Sequence, residues 1–226
     1  MAVPAPGSAA RTVAAFDFDG TLIRGDSLWH FLRDGLGPWR LLRALLAASP
    51  WLLLYGLRCI DNEAAKARLL YCALGGRPLA QVQAWADHFV QRVLPGLLRP
   101  EVLERLRWHQ AQGHPCLLVS ASVDLYLQGV GEALALSDVL CTRMEVRSGV
   151  VSGQLASPNC YGAQKVHRLQ QWLAERGWPR EALELYAYGD SAGDHALWAF
   201  ADHAFLRDQP APPPFNTPLR THAPHP

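Results

Sequence analysis

Three short apolar runs, each emptying abruptly into a polar or glycine-bearing loop, limit what this chain can fold into: TVAAFDF (12–18), HPCLLVS (114–120) and LELYAYG (183–189). Uninterrupted apolar runs of this length read as strands buried on both faces. Each is followed by a helical pattern, SLWHFLRDGL (27–36), DLYLQGVGEAL (124–134) and DHALWAF (194–200). Strand–helix alternation of this kind predicts a parallel sheet covered on both faces, with ligands outside the carboxyl ends of the strands. The stretch EVLERLRWHQAQ (101–112) adds a helix that closes at Gly113, and TRMEVRSGVVSGQL (142–155) reads as two strands around a Ser148-Gly149 turn. The fold class is therefore α/β.

One region breaks the alternation. Residues 24–95 carry only helical patterns and include the strongly apolar LLRALLAASPWLLLYGL (41–57). The simplest account is a helical insertion after the first strand. Breaks at Pro38 and Pro50 predict helical pieces of about 10–12 residues, too short to span a bilayer, which needs roughly 20. Arg40, Arg43 and Arg58 flank this Trp- and Leu-rich stretch, so a peripheral membrane contact through 41–57 stands beside a buried helical pair. Trp29, Trp39 and Trp51 are candidates to line a substrate entrance or to pack in the core.

The ends and the composition narrow the function. Residues 1–11 read as a flexible arm without the apolar core of a signal peptide, and 209–226 as a proline-rich disordered tail. The core is expected from 12–23 and 96–208. With 21 basic against 20 acidic residues and no basic cluster, a nucleic-acid partner is excluded. Five widely spaced cysteines without a CxxC pair point to neither a disulfide framework nor a zinc site, which fits a cytoplasmic protein.

The chemistry concentrates at the strand ends. In FDFDGTL (16–22), Asp17 and Asp19 stand two apart, so a strand's period of two aims both to one side. Carboxylates this close repel, and a divalent cation or a shared proton relieves the repulsion. Gly20 and Thr21 let the backbone turn tightly near an anion. In YGDSAGD (188–194) a second strand empties into Asp190 and Asp194, hard oxygen ligands of the kind that suit magnesium, Mg2+; Asp194 could equally cap a helix. Ser120 and Ala121, at the end of LLVSAS, can offer a hydroxyl and backbone N–H groups to an anion, and Lys165 opens a further helix. No G-x-S-x-G frames Ser120, which speaks against a serine nucleophile.

In this order the four pieces resemble the motifs of the haloacid dehalogenase-like superfamily, and the resemblance spans about residues 12–207. The position of the insertion, together with HQAQGHPCLLVSAS, TRMEV, NCYGAQK and YGDSAGDHALW, resembles its subfamily IB hydrolases, phosphoserine phosphatase and phosphatidylglycerophosphatase C among them. The resemblance implies a Rossmann-like core with an all-helical cap over 24–95. It further implies a Mg2+-dependent phosphomonoester hydrolase working through an aspartyl-phosphate on a small phosphorylated metabolite. Asp17 would be the nucleophile and Asp19 the acid and base. Asp17, the Asp19 backbone carbonyl, Asp190 and Asp194 would surround the metal, while Gly20, Thr21, Ser120, Ala121 and Lys165 would bind the phosphoryl group.

Two positions speak to the substrate. Asp26 and Arg68 fall where phosphoserine phosphatases have a glutamate and an arginine that contact the amino-acid part, and Gly193 replaces an asparagine near their phosphate. These differences set phosphoserine in doubt. Asp26 can also be read as a helix N-cap, and Arg68 as a partner of Asp61 or Glu63. The apolar cap leaves a lipid phosphate as the alternative substrate. A phosphomutase or a non-catalytic phosphate binder are other readings, though a binder is expected to lose Asp17 or Asp19, and both are present.

Overall fold

The computed structural model describes residues 11–206 and the backbone of 220–221. In chain order the elements are β1 (Arg11–Phe16), α1 (Ser27–Gly56), α2 (Asn62–Leu74), β2 (Arg77–Pro78), α3 (Leu79–His88), α4 (Leu94–Leu97) and α5 (Pro100–Ala111). There follow β3 (Cys116–Val123), α6 (Asp124–Ala133), β4 (Asp138–Thr142), β5 (Met144–Arg147), β6 (Val150–Leu155), α7 (Ala163–Glu175), β7 (Leu183–Gly189), α8 (His195–Phe200), β8 (His203–Leu206) and β9 (Arg220–Thr221).

The main sheet has the order β4-β3-β1-β7-β8-β9, parallel except for the last pair. After β1 the chain builds toward β3 and β4, then returns to β7 on the other side of β1. That reversal opens a crevice at the carboxyl ends of β1, β3 and β7, where open α/β sheets bind ligands. Alternate residues of β1 serve opposite faces: Ala14 and Phe16 join one buried cluster, Val13 and Ala15 the other. The first cluster also takes in Phe31, Leu70, Val82 and Phe89 from the inserted helices, so the insertion and the sheet share one continuous core.

Several local readings shift. Arg11, expected in the N-terminal arm, opens β1 and stacks 4.0 Å over the Trp178 ring. Residues 1–10 and most of 209–226 lie outside the described residues, but Arg220–Thr221, expected in an unstructured tail, pair antiparallel with β8. A sheet edge offers unpaired backbone groups that any nearby segment can meet. The break expected at Pro38 falls at Gly37 (φ 71°, ψ 169°), whereas α1 runs through Pro50. Proline removes the donor that the Leu46 carbonyl would otherwise meet, and Ser49 Oγ donates to that oxygen instead at 2.8 Å. Apart from the two-residue β2, which pairs with β6, the insertion is helical. The β5–β6 hairpin turns where expected, with φ of 48° at Ser148 and 76° at Gly149, the signs a tight two-residue turn demands. No helix among the described residues is long and apolar enough to cross a membrane.

Candidate active site

At the end of β1 the Asp17 N–H still donates to the Tyr188 carbonyl of β7 at 2.8 Å, so sheet pairing fixes the backbone that presents its carboxylate. The chain then turns at Gly20 (φ 76°). A Cβ there would collide with the Asp190 carboxylate, so glycine is what lets the two loops approach. Asp17 is buried. Lys165 Nζ donates to its Oδ1 at 2.6 Å and to Asp194 Oδ1 at 2.6 Å, while Thr21 Oγ1 donates to Asp17 Oδ2 at 3.2 Å. Lys165, at the start of α7, is itself buried and is not a surface lysine.

Asp194 Oδ2 gathers the loop after β7: it accepts from the N–H groups of Asp190 (3.2 Å) and Ser191 (3.1 Å) and from Ser191 Oγ (3.2 Å). It therefore caps the short helical turn and grips Lys165 at once. Oxygen atoms of Asp17, Asp190 and Asp194 all lie within 4.8 Å of one another. Three carboxylates converge around one buried lysine. Hard oxygen donors gathered in this way fit a divalent cation such as Mg2+, which takes one or two carboxylates and keeps waters. The electrostatics agree. Burial pushes the Asp17 carboxyl up to about 7, Lys165 works against the rise, and Asp194 adds to it. Burial opposes the Lys165 charge, but Asp17 and Asp194 outweigh it and hold the ammonium form beyond that of an ordinary lysine.

Asp19 turns toward the cap. Its Oδ1 accepts from the Ser27 N–H at 2.5 Å and its Oδ2 from Ser122 Oγ at 2.6 Å. Ser27 Oγ lies 2.8 Å from Tyr126 Oη and 3.1 Å from Ser122 Oγ, so a buried hydroxyl network fixes this carboxylate. Burial raises its pKa, the Asp26 charge adds to the rise, and the Ser122 and Ser27 hydrogen bonds lower it.

The strand β3 runs past Ser120 to Val123, with its pairing to β4 irregular between Ser120 and Val123. Ser120 is buried and its Oγ accepts from the Ser122 N–H at 3.1 Å. The Ala121 carbonyl accepts from Thr142 Oγ1 at 2.6 Å and from Lys66 Nζ. Asp26 caps α1, accepting from the Trp29 N–H at 2.8 Å. The guanidinium of Arg68 lies 4.0 Å over the Trp51 ring and, among the described residues, pairs with neither Asp61 nor Glu63. At Gly193 any Cβ would meet the Tyr161 ring at 2.5 Å, so this chain fills with an aromatic ring the space a longer side chain would need.

Three contributors escaped the sequence reading: Ser27 and Ser122, which hold Asp19, and Lys66 of α2. Lys66 was visible in principle. It stands four before Leu70 and seven before Ala73, in line with the stripe that α2 buries, where a lysine is out of place unless its head reaches something polar.

A buried aspartate at the topological switch of a parallel sheet, paired with a lysine and set beside two further carboxylates, is an arrangement that could hold a hard cation. The description "haloacid dehalogenase-like hydrolase" matches residues 14–198, and the chain belongs to that family. Protein CicA of Caulobacter vibrioides is 33% identical over 205 residues, covering 88% of each chain. A probable phosphatase of Mycobacterium tuberculosis is 28% identical, covering 86% of this chain and 68% of its own. The structure of a phosphoserine phosphatase, as a phospho-aspartyl intermediate analogue, superposes with a TM-score of 0.60 at 17% identity, covering 87% of this chain and 86% of that one. The chain is thus a hydrolase of the haloacid dehalogenase-like family.

Proposed function

We propose that the protein hydrolyses a small phosphomonoester through an aspartyl-phosphate at Asp17. The carrying observation is the division of labour at the end of β1: Asp17 faces Lys165, Asp190 and Asp194, and Asp19 is held apart by Ser27 and Ser122. An Asp17 oxygen attacks phosphorus, the bond from phosphorus to the ester oxygen breaks, and the departing alkoxide takes a proton from Asp19. Asp19 then removes a proton from a water that attacks the same phosphorus, releasing inorganic phosphate and regenerating Asp17. A raised Asp19 pKa suits a group that must hold a proton in one step and accept one in the next. Lys165, Ser120, Thr21 and the N–H groups near Gly20 and Ala121 supply the positive side of the phosphoryl pocket. Asp17, Asp190 and Asp194, with the Asp19 carbonyl, would hold Mg2+, which supplies charge neutralisation on the phosphoryl oxygens. Phosphate release from p-nitrophenyl phosphate with Mg2+, abolished by chelation, supports this reading; release that survives exhaustive chelation removes the metal from it.

A second reading, a lipid phosphate met at a bilayer, rests on one observation. Trp39, Leu42, Leu46, Leu53 and Leu57 are all exposed and share the outer face of α1 and its end. Co-flotation with liposomes would favour it, and a chain left in solution would remove it.

A further inference from the structure

Lys66 is a cation that the proposed chemistry does not use. It reaches from α2 in the cap into the crevice, where its ammonium donates to two neutral oxygens, the Ala121 carbonyl and Asn159 Oδ1, the latter at 3.1 Å. Among the described residues it forms no ion pair, whereas Lys165 is matched by two carboxylates. The carboxylates whose charge acts on it are already engaged: Asp19 accepts from Ser27 and Ser122, and Asp26 caps α1. A largely buried ammonium solvated only by a carbonyl and an amide retains most of its field for an incoming anion. Burial lowers its pKa to about 8, with Asp19 and Asp26 opposing the drop, so it remains mostly charged near neutrality.

Its location says which part of a substrate it would meet. Phosphorus must sit at Asp17, and the leaving oxygen must face Asp19. Lys66 comes from the cap, lies beside the Ala121 carbonyl and within reach of the Asp19 charge, and so faces the crevice from the side of the acid rather than from that of Lys165. Arg68 does not share this place: two residues along a helix project about 200° apart, and Arg68 goes to Trp51. Resting on the phosphatase reading above, we infer that Lys66 binds a second anionic group, a carboxylate or a phosphate, on the alcohol portion of the phosphomonoester. The backbone beneath it is braced for this, since the Asn159 N–H donates to Glu63 Oε2 of the same cap helix at 3.0 Å and Thr142 supports Ala121.

The test compares kcat/KM of the full chain with Mg2+ on glycerol 3-phosphate, whose remainder is neutral, on 3-phosphoglycerate and on fructose 1,6-bisphosphate. Wild type should prefer one or both anionic substrates. Lys66→Met should reduce that preference by roughly tenfold or more, mainly through KM, the size expected for one charge-assisted hydrogen bond, and Lys66→Arg should restore much of it. A loss confined to 3-phosphoglycerate identifies a carboxylate, and one confined to the bisphosphate a second phosphate. An equal fall on all three substrates, or an unchanged preference, overturns the inference. Should Lys66→Met not fold, Lys66→Gln keeps polar contact with Ala121 and Asn159 and carries the same comparison. Wild type that cleaves p-nitrophenyl phosphate without preferring either anionic substrate refutes the role of Lys66 alone. Wild type that cleaves no phosphomonoester refutes the phosphatase reading itself.

Discussion

His109, buried beneath the strands that carry the site, should make the protein lose stability in mild acid. Its Nε2 lies 2.9 Å from Tyr188 Oη and its Nδ1 2.9 Å from His114 Nδ1, and it has no exposed surface. Burial, with His114 and Arg105 adding to it, pulls its pKa from 6.5 down to about 3. The folded state therefore binds fewer protons than the unfolded state between these values. The contribution is fully present above pH 6.5 and is lost as pH falls toward 3. At pH 4.5 an unfolded histidine is almost wholly protonated and the folded one is not. The loss relative to pH 8 is then about two pKa units' worth, or about 2.7 kcal/mol. That figure barely depends on the folded value so long as it stays below about 4. Buried acids of raised pKa, Asp17, Asp19 and Asp124, act in the opposite sense, so the quantity to measure is a difference. Urea unfolding of wild type and His109→Gln at pH 8 and pH 4.5 provides it. The variant should be less stable at pH 8, and its deficit should shrink or reverse by about 2.7 kcal/mol at pH 4.5. A deficit that is the same at both pH values would refute the claim that His109 is held neutral.

Three further outcomes follow from the site. Asp17→Asn should lower turnover by roughly a thousandfold or more while preserving the melting temperature, since it removes the nucleophile and keeps the shape; retained turnover contradicts the covalent route. Ser122→Ala removes the 2.6 Å hydrogen bond that holds the Asp19 pKa down, and should move the alkaline limb of kcat/KM on an alkyl phosphate upward; an unmoved limb places the acid elsewhere. Ca2+ in place of Mg2+ should support little activity, because it takes more ligands at longer distances and would misplace Asp17. Full activity with Ca2+ counts against the metal assignment.

What the sequence made legible follows from where its signals were local. The runs before Asp17, Ser120 and Asp190 read as buried strands from their length and their abrupt polar or glycine-bearing ends, and the aspartates and Lys165 stood at those ends or at a helix start. The β5–β6 turn was equally local. The cap was harder to read because its helices are apolar on more than one side, and Pro50, a helix breaker by rule, is tolerated through the Ser49 hydroxyl. Arg68 was singled out by analogy of position and Lys66 was not read at all; the two project about 200° apart on α2, and Lys66 is the one that reaches Ala121 and Asn159. Ser27 and Ser122 act on Asp19 across 8 and 103 residues of chain, and nothing in serine itself announces such a contact.

The central claim is that the phosphoryl group passes through Asp17. Brief reaction of the Mg2+-loaded chain with a phosphomonoester, acid quenching and peptide mass spectrometry read this directly. With p-nitrophenyl phosphate, whose leaving group departs without a proton, the account requires a phosphorylated peptide over FDFDGTL with the modification on Asp17, present in Asp19→Asn and absent in Asp17→Asn. Phosphate release with no acyl phosphate on that peptide, or with the modification on another residue, contradicts it.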